Sequence, residues 1–532
     1  RLHLRTSGVT LDVPVLHRSA TGWHRFGQPR LGRADVAAAP FDTATVAALV
    51  ARETLARVEG AVHQIDDVVA RVLDSAARID RFAAAAPRSP VPGFLAGEQA
   101  LLHGHPFHPA AKSREGLHEA EEGECFPELA GSLRLHWYAA RADLVSHASA
   151  GAPAPGTLAA LARDLAVPAG YLPLPLHPWQ VRALTRRPWV QNLLAEGALR
   201  DLGPSGPSWF PTSSLRTVWS PQAPCQLKLS LGLRITNSRR DNLRHELELG
   251  VRASRLLAAG LGDLLRTHHA GFGIVRDHGW VDLDAGDAGD GAPSGFATAL
   301  RDNPFGADTS SVCVAGLVAP GARGGPSMLA ALLQRQAAAT GEPVGLAALS
   351  WLRRYLDRVV GPLLWLRLEH GIALEAHHQN TLVDLDDDGR PVGGRYRDSQ
   401  GWYAAASHHA ALDRLVPGFA DGVLAVFDDA LVDDRLTYYL VVNNVLGLVG
   451  ALGSQGVADE EMLLGAVREW VTGLATTYPL TPAILARLLD GPTLPCKANL
   501  LTSVDGRDEL TGSVEQQSVY VDIPNPIAQV RS

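Results

Sequence analysis

Apolar residues recur every three to four positions in three parts of the chain. This spacing predicts helix over residues 41–85 and over 343–371, where Pro362 marks a kink or restart and Gly371 marks the end. Residues 405–490 follow a mostly helical pattern as well. The sequence therefore predicts helix-rich parts towards both ends of the chain.

The middle of the chain instead alternates polar and apolar residues, which is the period of a strand. Within residues 208–250, SWFPTSSLRTVWS and CQLKLSLGLRITNS predict adjacent antiparallel strands across the turn SPQAP, and a helix follows them. A second strand pair is predicted to turn at Asp277–Gly279. The turn DDDGRP between TLVDL and VGGRYRD predicts a hairpin over 381–398.

Together these patterns predict an α+β fold with three domains. A mostly helical domain is expected over residues 1–165, with ASAGAPAPG (148–156) as a linker close to its end. A domain of antiparallel strands is expected over 166–345. A mostly helical domain that carries the hairpin is expected over 346–532.

The composition and charge of the chain argue against nucleic acid and membranes as binding partners. The chain has 532 residues, of which 46% are hydrophobic, and its net charge of −8 provides no general basic field to attract nucleic acid or an anionic membrane. The longest apolar stretch, 438–452, is interrupted by Asn443 and Asn444 and is too short to cross a bilayer. The four cysteines lie far apart, as in proteins of a reducing cytosol, and RLHLRTSGVT has no signal-peptide pattern. A cytoplasmic protein is expected.

Lysine is rare in this chain. Only Lys112, Lys228 and Lys497 occur among 48 basic residues. A lysine differs from an arginine in being a compact charge with a tunable pKa, so positions that keep lysine are candidates for function.

A phosphate site is predicted around Lys228, which opens an alternating strand. The polar residues expected on one face of this strand are Lys228, Ser230, Gly232, Arg234 and Thr236. The preceding segment PTSSLRTV adds donors that suit phosphate oxygens, namely Thr212, Ser213, Ser214, Arg216 and Thr217. The alternative is a solvent-facing strand with ordinary polar residues.

A magnesium site is predicted at the two ends of the 381–398 hairpin. EAHHQN (375–380) contributes Glu375 and Asn380, and RDSQG (397–401) contributes Asp398. Mg²⁺ prefers such oxygen ligands, with phosphate oxygens and water completing its shell. His377 could contact phosphate or orient a nucleophile. Zinc at His377 and His378 is disfavoured, because neighbouring residues on a strand point to opposite faces.

A third cluster lies in GHPFHPAAKSREG (104–116), where His105, His108, Lys112 and Arg114 stand close together among prolines. These side chains could hold a polycarboxylate, and a histidine metal site is the alternative.

The chain has no Walker A, GxGxxG or GxSxG sequence. P-loop ATPases, Rossmann enzymes and serine hydrolases are therefore disfavoured.

Taken in order, seven segments resemble the NRPS-independent siderophore synthetases of the IucA/IucC family. They are GHPFHPAAKSREG, HPWQ, PTSSLRTV, KLSLGLRITNSRR, EAHHQNTLV, RDSQG and PCKANL, and they span about residues 95–503. The resemblance implies a cupped-hand fold of thumb, fingers and palm, with ATP between fingers and palm. It also implies that citrate, a citrate derivative or a succinyl hydroxamate is adenylated and then transferred to an amine, hydroxylamine or alcohol, with release of AMP and pyrophosphate.

The resemblance also assigns roles to residues. The implied nucleotide-binding residues, several of them catalytic, are Ser214, Arg216, Thr217, Lys228, Arg240, His377 and Asn380. The implied magnesium-associated residues are Glu375, Asn380 and Asp398. The implied acyl-substrate residues are His105, Lys112 and Lys497. One departure is that many members follow the C-terminal Lys-Ala with Met-Arg, whereas Asn499 and Leu500 follow Ala498 here.

Two other functions remain open. A kinase-like phosphotransferase would use the same Lys, Asn and Asp side chains and release ADP. A non-enzymatic protein would bind a carboxylate siderophore without turning over ATP. The partners expected from the resemblance are a small carboxylate and an amine or hydroxylamine, and a homodimer is compatible with it.

Overall fold

The computed structural model describes residues 1–32, 41–56, 65–85, 93–117, 119–284, 292–307, 309–422, 425–505 and 517–530. Helices and strands are mixed along the chain, and most strand pairs are antiparallel. The predicted helix over 41–85 is present as two helices on either side of residues 57–64, which lie outside the described part.

The N-terminal part contains more strand than its periodicity predicts. Its strands are β1 Leu2–Leu4, β2 Val9–Asp12, β3 Val15–His17, β4 Arg25–Phe26, β5 Arg30–Leu31, β6 His136–Arg141, β7 Val145–Ser149, β8 Tyr171–Leu176 and β9 Leu199–Pro204. Its helices are α1 Thr43–Leu55, α2 Ile65–Ala85, α3 Phe94–Gln99, α4 Glu119–Cys125, α5 Ala154–Leu161, α6 Pro178–Leu184 and α7 Pro188–Ala195.

The middle part builds a six-stranded sheet in the order β10-β11-β12-β17-β16-β7. The strands of this part are β10 Phe210–Pro211, β11 Thr217–Trp219, β12 Cys225–Leu229, β13 Leu231–Ile235, β14 Ser238–Arg240, β15 Phe272–Val275, β16 Asp277–Leu283, β17 Thr298–Asp302 and β18 Ser311–Cys313. Its helices are α8 Arg244–Leu256, α9 Gly262–His268, α10 Val314–Val318 and α11 Met328–Thr340.

The C-terminal part is mostly helical, as its periodicity predicts. Its helices are α12 Val344–Tyr355, α13 Gly361–His370, α14 His409–Leu415, α15 Asp429–Leu436, α16 Leu446–Ser454, α17 Glu460–Ala475, α18 Ala483–Asp490, α19 Asn499–Val504 and α20 Pro526–Gln529. Its strands are β19 Ile372–Leu374, β20 Thr381–Leu385, β21 Pro391–Arg397, β22 Trp402–Ala405, β23 Val426–Phe427, β24 Thr493–Lys497 and β25 Tyr520–Pro524.

The largest apolar core lies in this C-terminal part. Side chains from α12, α13, α16 and α17 meet there, including Leu352, Leu363, Val449 and Leu464. Within the described ranges, Asp429–Ser454 is the one helix long and apolar enough to cross a membrane, but 94% of its apolar window is buried in the protein. Packing in the core accounts for its apolar character.

Two strand pairings are confirmed. β11 and β12 are antiparallel, with Thr217 opposite Lys228. β20 and β21 form the predicted hairpin, in which Thr381 lies opposite Tyr396. These pairs bring the phosphate segment and the predicted magnesium segment onto two neighbouring sheets.

The predicted strand pair around Asp277–Gly279 is wrong. Gly279 lies inside β16 and not in a turn, and the two strands belong to different sheets. β15 runs parallel to β21, whereas β16 lies antiparallel between β17 and β7.

The single strand predicted from Lys228 to Thr236 is also wrong. The chain leaves the six-stranded sheet at Ser230, whose N–H donates to the carbonyl of Ala297 and whose Oγ accepts from the N–H of Asn242. β13 then pairs with β14 in a separate two-stranded sheet. Gly232, Arg234 and Thr236 therefore do not extend the polar face that carries Lys228.

The predicted linker over 148–156 is wrong too. Ser149 ends β7, which pairs with β16, and Ala154 is fully buried at the start of α5. The domain boundary predicted at residue 165 crosses two sheets, because β7 joins the six-stranded sheet and β6 lies between β8 and β9. Small residues, which suggested a linker, here allow close packing.

The crossing of α3 and α10 gives a test of the fold. A Cβ added to Gly316 would lie 1.8 Å from the carbonyl oxygen of Gly97, which is backbone and cannot move aside cheaply. We expect Gly316→Ala to lower the free energy of unfolding by about 1–3 kcal/mol, the usual cost of overpacking. Gly473→Ala in α17 is the control, because nothing lies within 4 Å of its added Cβ.

The measurement is urea unfolding of both variants. Gly473→Ala is expected to be neutral or to stabilise by about 0.5–1 kcal/mol, because it removes glycine from a helix. Equal stability of Gly316→Ala and the wild-type protein would contradict the close approach of the two helices.

Candidate active site

A cavity of about 730 Å³ lies between the six-stranded sheet, the β20–β21 hairpin and the loop that follows α3. All the residues to which the resemblance assigns a role line it, from His105 to Lys497, whereas Ser230, Gly232 and Arg234 of the predicted phosphate strand do not. The fold therefore brings together side chains that are almost 400 positions apart in the chain. Their individual roles stay predictions, which the contacts below constrain.

Asp398 lies at the centre of a charge cluster at one end of the cavity. Its Oδ1 accepts from Lys228 Nζ at 2.6 Å and from Arg301 Nη2 at 3.3 Å. Asp277 accepts two hydrogen bonds from Arg301, at 2.6 and 3.0 Å, and lies 3.6 Å from Lys228 Nζ. Lys228, Arg301 and Asp277 are buried, so each charge needs its partner to remain inside the protein.

The partners in this cluster fix its protonation. Burial alone would raise the pKa of Asp398, but Lys228 and Arg301 hold it well below its ordinary value. Burial lowers the pKa of Lys228 from its ordinary value, and Asp398 opposes that shift. The Asp398 carboxylate is therefore ionised at neutral pH and anchors two cations at the cavity wall.

Backbone strain concentrates at this cavity. Leu215, Thr236 and Asp398 have positive φ angles of 61°, 58° and 111°. Such conformations cost about 1–3 kcal/mol each for residues with a side chain, and they persist where surrounding contacts enforce them. Thr236 Oγ1 accepts from Arg240 Nη2 at 2.8 Å, and its carbonyl accepts from Arg71 of α2. The turn that carries Arg240 is thus held from two sides.

The PTSSLRTV segment forms a tight loop tied to the end of β21. Ser214 Oγ accepts the N–H of Thr217 at 3.2 Å. Arg216 donates to Asn242 Oδ1 at 2.8 Å and to Gln400 Oε1 at 2.9 Å. Burial lowers the pKa of Arg216 to about 10, so it remains charged at neutral pH. Its contacts hold the guanidinium next to the charge cluster.

A second buried ion pair joins this loop to the hairpin. Glu98 of α3 is fully buried and accepts from Arg397 at 2.6 and 3.1 Å. The same carboxylate accepts from the N–H and the Oγ of Ser213, at 2.8 and 2.7 Å. Arg397 directly precedes Asp398, so Glu98 fixes the loop and the central carboxylate relative to each other.

His377 is oriented by its own backbone. Its Nδ1 accepts the N–H groups of Gln379 and Asn380, both at 3.2 Å, and its Nε2 lies 3.7 Å from Glu375 Oε1. Burial lowers the pKa of His377 to about 4, although Asp398 opposes this shift. The ring is therefore neutral at pH 7, and the contacts of Nδ1 leave the proton on Nε2, where it can be donated.

Glu375, Asn380 and Asp398 supply oxygen donors of the kind that Mg²⁺ prefers. In the described part of the chain, no three His, Cys, Asp or Glu side chains converge as a metal centre. Mg²⁺ commonly binds one or two carboxylates together with substrate phosphates and does not require a cage made by the protein alone. The donor set therefore fits a magnesium–nucleotide complex better than a permanent metal ion.

The predicted acyl-substrate residue His105 contacts side chains outside the Asp398 cluster. His105 Nε2 is 3.0 Å from Asn443 Nδ2, and its ring is 6.3 Å from that of Phe107. Burial lowers the pKa of His105 to about 3, and His108, His377 and Lys497 act in the same direction. Lys497, the last residue of β24, lines the same cavity. Lys497 and these histidines therefore form a second region of positive or neutral groups within the cavity.

Lys112 is placed differently from the sequence expectation. Its side chain lines the cavity, but its ammonium donates to Glu128 in the interior, and Arg114 lies 3.7 Å from the same carboxylate. Burial alone would raise the pKa of Glu128, but Lys112 and Arg114 hold it below its ordinary value. One of the three lysines is thus engaged in a structural ion pair, and its contact with a substrate stays a prediction.

Sequence reasoning missed Asp277, Arg301, Glu98 and most of the partners of Arg397. Asp277 lies in β16 and Arg301 in β17. The pattern of polar and apolar residues in these strands indicates no functional site, and neither residue lies in a recognisable motif. Arg397 is the first residue of RDSQG, and its position next to Asp398 is the feature of the sequence that could have indicated a role in the site. Glu98 offered none, because its partners are more than 110 positions away.

Comparison with known proteins identifies the family. The sequence profile of the IucA / IucC family matches residues 93–319, and a profile described as a ferric iron reductase FhuF-like transporter matches residues 349–512. The rhizobactin siderophore biosynthesis protein RhbC of Rhizobium meliloti is 37% identical, over 98% of this chain and 91% of its own length. The chain belongs to the IucA/IucC family.

Two further matches cover nearly the whole chain. The spermidine-citrate ligase of Bacillus anthracis is 31% identical, over 99% of this chain and 90% of its own length. The ATP-bound aerobactin synthetase IucA from a hypervirulent pathotype of Klebsiella pneumoniae superimposes with a TM-score of 0.87 at 28% identity, covering 97% of this chain and 92% of that chain. The fold of the family thus extends from end to end.

The Lys112–Glu128–Arg114 cluster gives a test of the cavity wall in this IucA/IucC protein. Glu128→Gln leaves two buried cations without their carboxylate, so we expect it to lower the free energy of unfolding by about 3–5 kcal/mol. Lys112→Met should cost less, because Arg114 still neutralises Glu128. Denaturant unfolding measures both, and a larger cost for Lys112→Met would contradict the shared-carboxylate arrangement.

Proposed function

We propose that this IucA/IucC protein is an ATP-dependent siderophore synthetase. It joins citrate, a citrate derivative or a succinyl hydroxamate to an amine, hydroxylamine or alcohol, and it releases AMP and pyrophosphate. The observation that carries the proposal is the set of cations around Asp398, in a chain whose structural neighbour was solved with ATP. Citrate-ligating synthetases among its relatives support the same reaction.

The nucleotide binds at the Asp398 end of the cavity in this proposal. Arg216 and Lys228 contact its phosphates, and the hydroxyl groups of Ser214 and Thr217 line the same loop. Arg240 reaches the phosphates from the neighbouring turn. A polyphosphate suits this wall, because the buried cations there outnumber the carboxylates that face the cavity.

Magnesium is part of the proposal. Glu375, Asn380 and Asp398 would hold it together with phosphate oxygens, and when bound it neutralises charge on the phosphates. His377 adds a neutral Nε2–H donor beside these oxygens. This placement favours stabilisation of a phosphate or acyl oxygen by His377 over proton removal, because its Nδ1 is occupied by backbone N–H groups.

The chemistry follows from bringing anions together. A carboxylate oxygen attacks the α-phosphorus of ATP, and the bond to pyrophosphate breaks. Preorganised cations in a closed site lower the cost of the charge that develops in this step. The acceptor then attacks the acyl carbon, loses a proton and expels AMP. In this proposal His105 and Lys497 bind the carboxylates of the acyl donor.

The remaining expectations belong to the same proposal. A hand of thumb, fingers and palm stays a prediction, and its boundary cannot lie at residue 165, where it would divide two sheets. A cytoplasmic location suits the intermediates, and a homodimer is compatible with the family.

Product analysis tests the proposed reaction. Purified protein is incubated with ATP, Mg²⁺, hydroxylamine as a general acceptor and a panel of carboxylates that includes citrate. We expect a hydroxamate, AMP and pyrophosphate in equal amounts. ADP as the nucleotide product would establish a kinase-like phosphotransferase instead, and tight carboxylate binding without any ATP turnover would establish a binding protein.

Lys228→Ala tests the nucleotide site. Losing one preorganised donor at a developing charge costs on the order of 10²–10³ in rate, so AMP release should fall by that factor with the fold retained. Arg239→Ala is the matched control, because Arg239 is a basic residue of the nearby strand β14 that pairs with Asp241 outside the cavity lining. Turnover of Lys228→Ala close to that of Arg239→Ala would rule out the assignment.

Asp398→Asn tests the magnesium assignment. The substitution keeps the size of the side chain but removes the ligand charge, so we expect a higher Mg²⁺ requirement together with a large drop in turnover. The measurement is AMP release over a Mg²⁺ titration at fixed ATP. A titration curve with the wild-type midpoint would place the metal elsewhere.

A further inference from the structure

The cavity has a wall that the proposed nucleotide and acyl sites do not use. The N-terminal hairpin of β3 and β4 and the loop between these strands form it. Glu460, the first residue of α17, holds this loop in place. Its carboxylate accepts from Ser19 Oγ at 2.8 Å and from the N–H of Ala20 at 2.7 Å, and it lies 2.9 Å from His17 Nε2.

This anchoring presents aromatic side chains to the cavity. The rings of Trp23 and Phe107 meet edge to face at 6.0 Å, and Trp23 packs against the backbone of α16 at Gly450. Phe107 is 41% exposed although it borders a cavity, and Val318 and Pro320 continue the apolar surface. Because the Phe107 ring is 6.3 Å from that of His105, the wall leads directly to the predicted acyl site.

Arg25 lines the cavity at this wall, whereas the carboxylate of Glu460 is bonded to the loop and does not line the cavity. Burial lowers the pKa of His103, and the nearby Lys112 and Arg25 act in the same direction. Among the described residues that line the cavity, the carboxylates are Glu246, Glu375 and Asp398. They contact Gln400, His377 and Lys228, respectively, and so belong to the proposed nucleotide and magnesium sites. A second ammonium group at the aromatic wall would therefore meet Arg25, with no carboxylate of the described lining residues beside it.

We propose that the Trp23–Phe107 wall binds the chain of the acceptor amine, and that the far end of this acceptor carries an oxygen-bearing group that is not cationic. The inference rests on the proposed function and adds the class of its second substrate. Apolar contact with the two rings suits a run of methylene groups. An acyl carbonyl or a carboxylate at the far end suits Arg25, whereas a free diamine or polyamine does not.

Matched acceptors test this proposal. The probes are 1,5-diaminopentane, its N-acetyl derivative and 6-aminohexanoate, which share a five-carbon chain between the reacting amine and the far end. AMP release with ATP and the best carboxylate gives kcat/KM for each probe. We expect the N-acetyl compound or the aminohexanoate to exceed the diamine by at least tenfold, and the better of the two identifies a neutral or an anionic end.

Charge reversal at Arg25 gives the decisive comparison. In Arg25→Glu the preference should shift towards the diamine by at least tenfold, because the new carboxylate attracts an ammonium group. Arg18→Glu is the matched control, since Arg18 is exposed on the same hairpin region and does not line the cavity. Trp23→Ala should raise KM for all three probes more than it lowers kcat.

The outcomes separate this inference from the proposed function. Hydroxamate formation with equal kcat/KM for the three probes, or a selectivity in Arg25→Glu equal to that in Arg18→Glu, would overturn the acceptor site and leave the synthetase intact. A wild-type protein that forms no hydroxamate and no AMP would overturn the proposed function, and the acceptor site with it.

Discussion

The Asp398 carboxylate, held between Lys228 and Arg301, is the contact on which the site depends. Lys228 comes from β12, Arg301 from β17, and Asp398 from the residue after β21. One carboxylate thus connects the six-stranded sheet to the hairpin of a different sheet. The strained backbone at Asp398 shows that the surrounding contacts, and not local preference, set its position.

The same contact explains how so many cations remain buried around the cavity. Asp277 shares Arg301 and Lys228 with Asp398, and Glu98 balances Arg397 one residue away. A buried cation without such a partner would lose its proton or destabilise the fold. The carboxylates therefore keep the cations charged and fixed, and a phosphate or carboxylate that enters the cavity meets donors that need no rearrangement.

Much of the site could be predicted from the sequence, because its motifs are short and local. PTSSLRTV, EAHHQN and RDSQG each place several polar side chains within one loop, and the hairpin DDDGRP fixes the register between two of them. Their order along the chain is the feature that resembles the IucA/IucC family. The residue at which β12 ends was harder to predict. The chain leaves the sheet at Ser230 because of hydrogen bonds with Ala297 and Asn242, which are distant in sequence.

The supporting residues could not be predicted for the same physical reason. Asp277, Arg301 and Glu98 act only through partners brought close by tertiary structure, and no periodic pattern records that. Lys112 is a rare residue inside a motif, and its contact with the acyl substrate stays a prediction. The sequence did not indicate that its ammonium pairs with Glu128, a carboxylate that lies 16 positions away.

The most direct test of the account uses Asp277, which touches the cations of the cluster but does not line the cavity. The measurement is carboxylate-dependent exchange of labelled pyrophosphate into ATP, without any acceptor, in wild type and in Asp277→Asn. We predict exchange in the wild-type protein and at least a tenfold loss in a folded Asp277→Asn variant. Exchange at the wild-type rate in that variant would contradict the claim that buried carboxylates position the cations for adenylation.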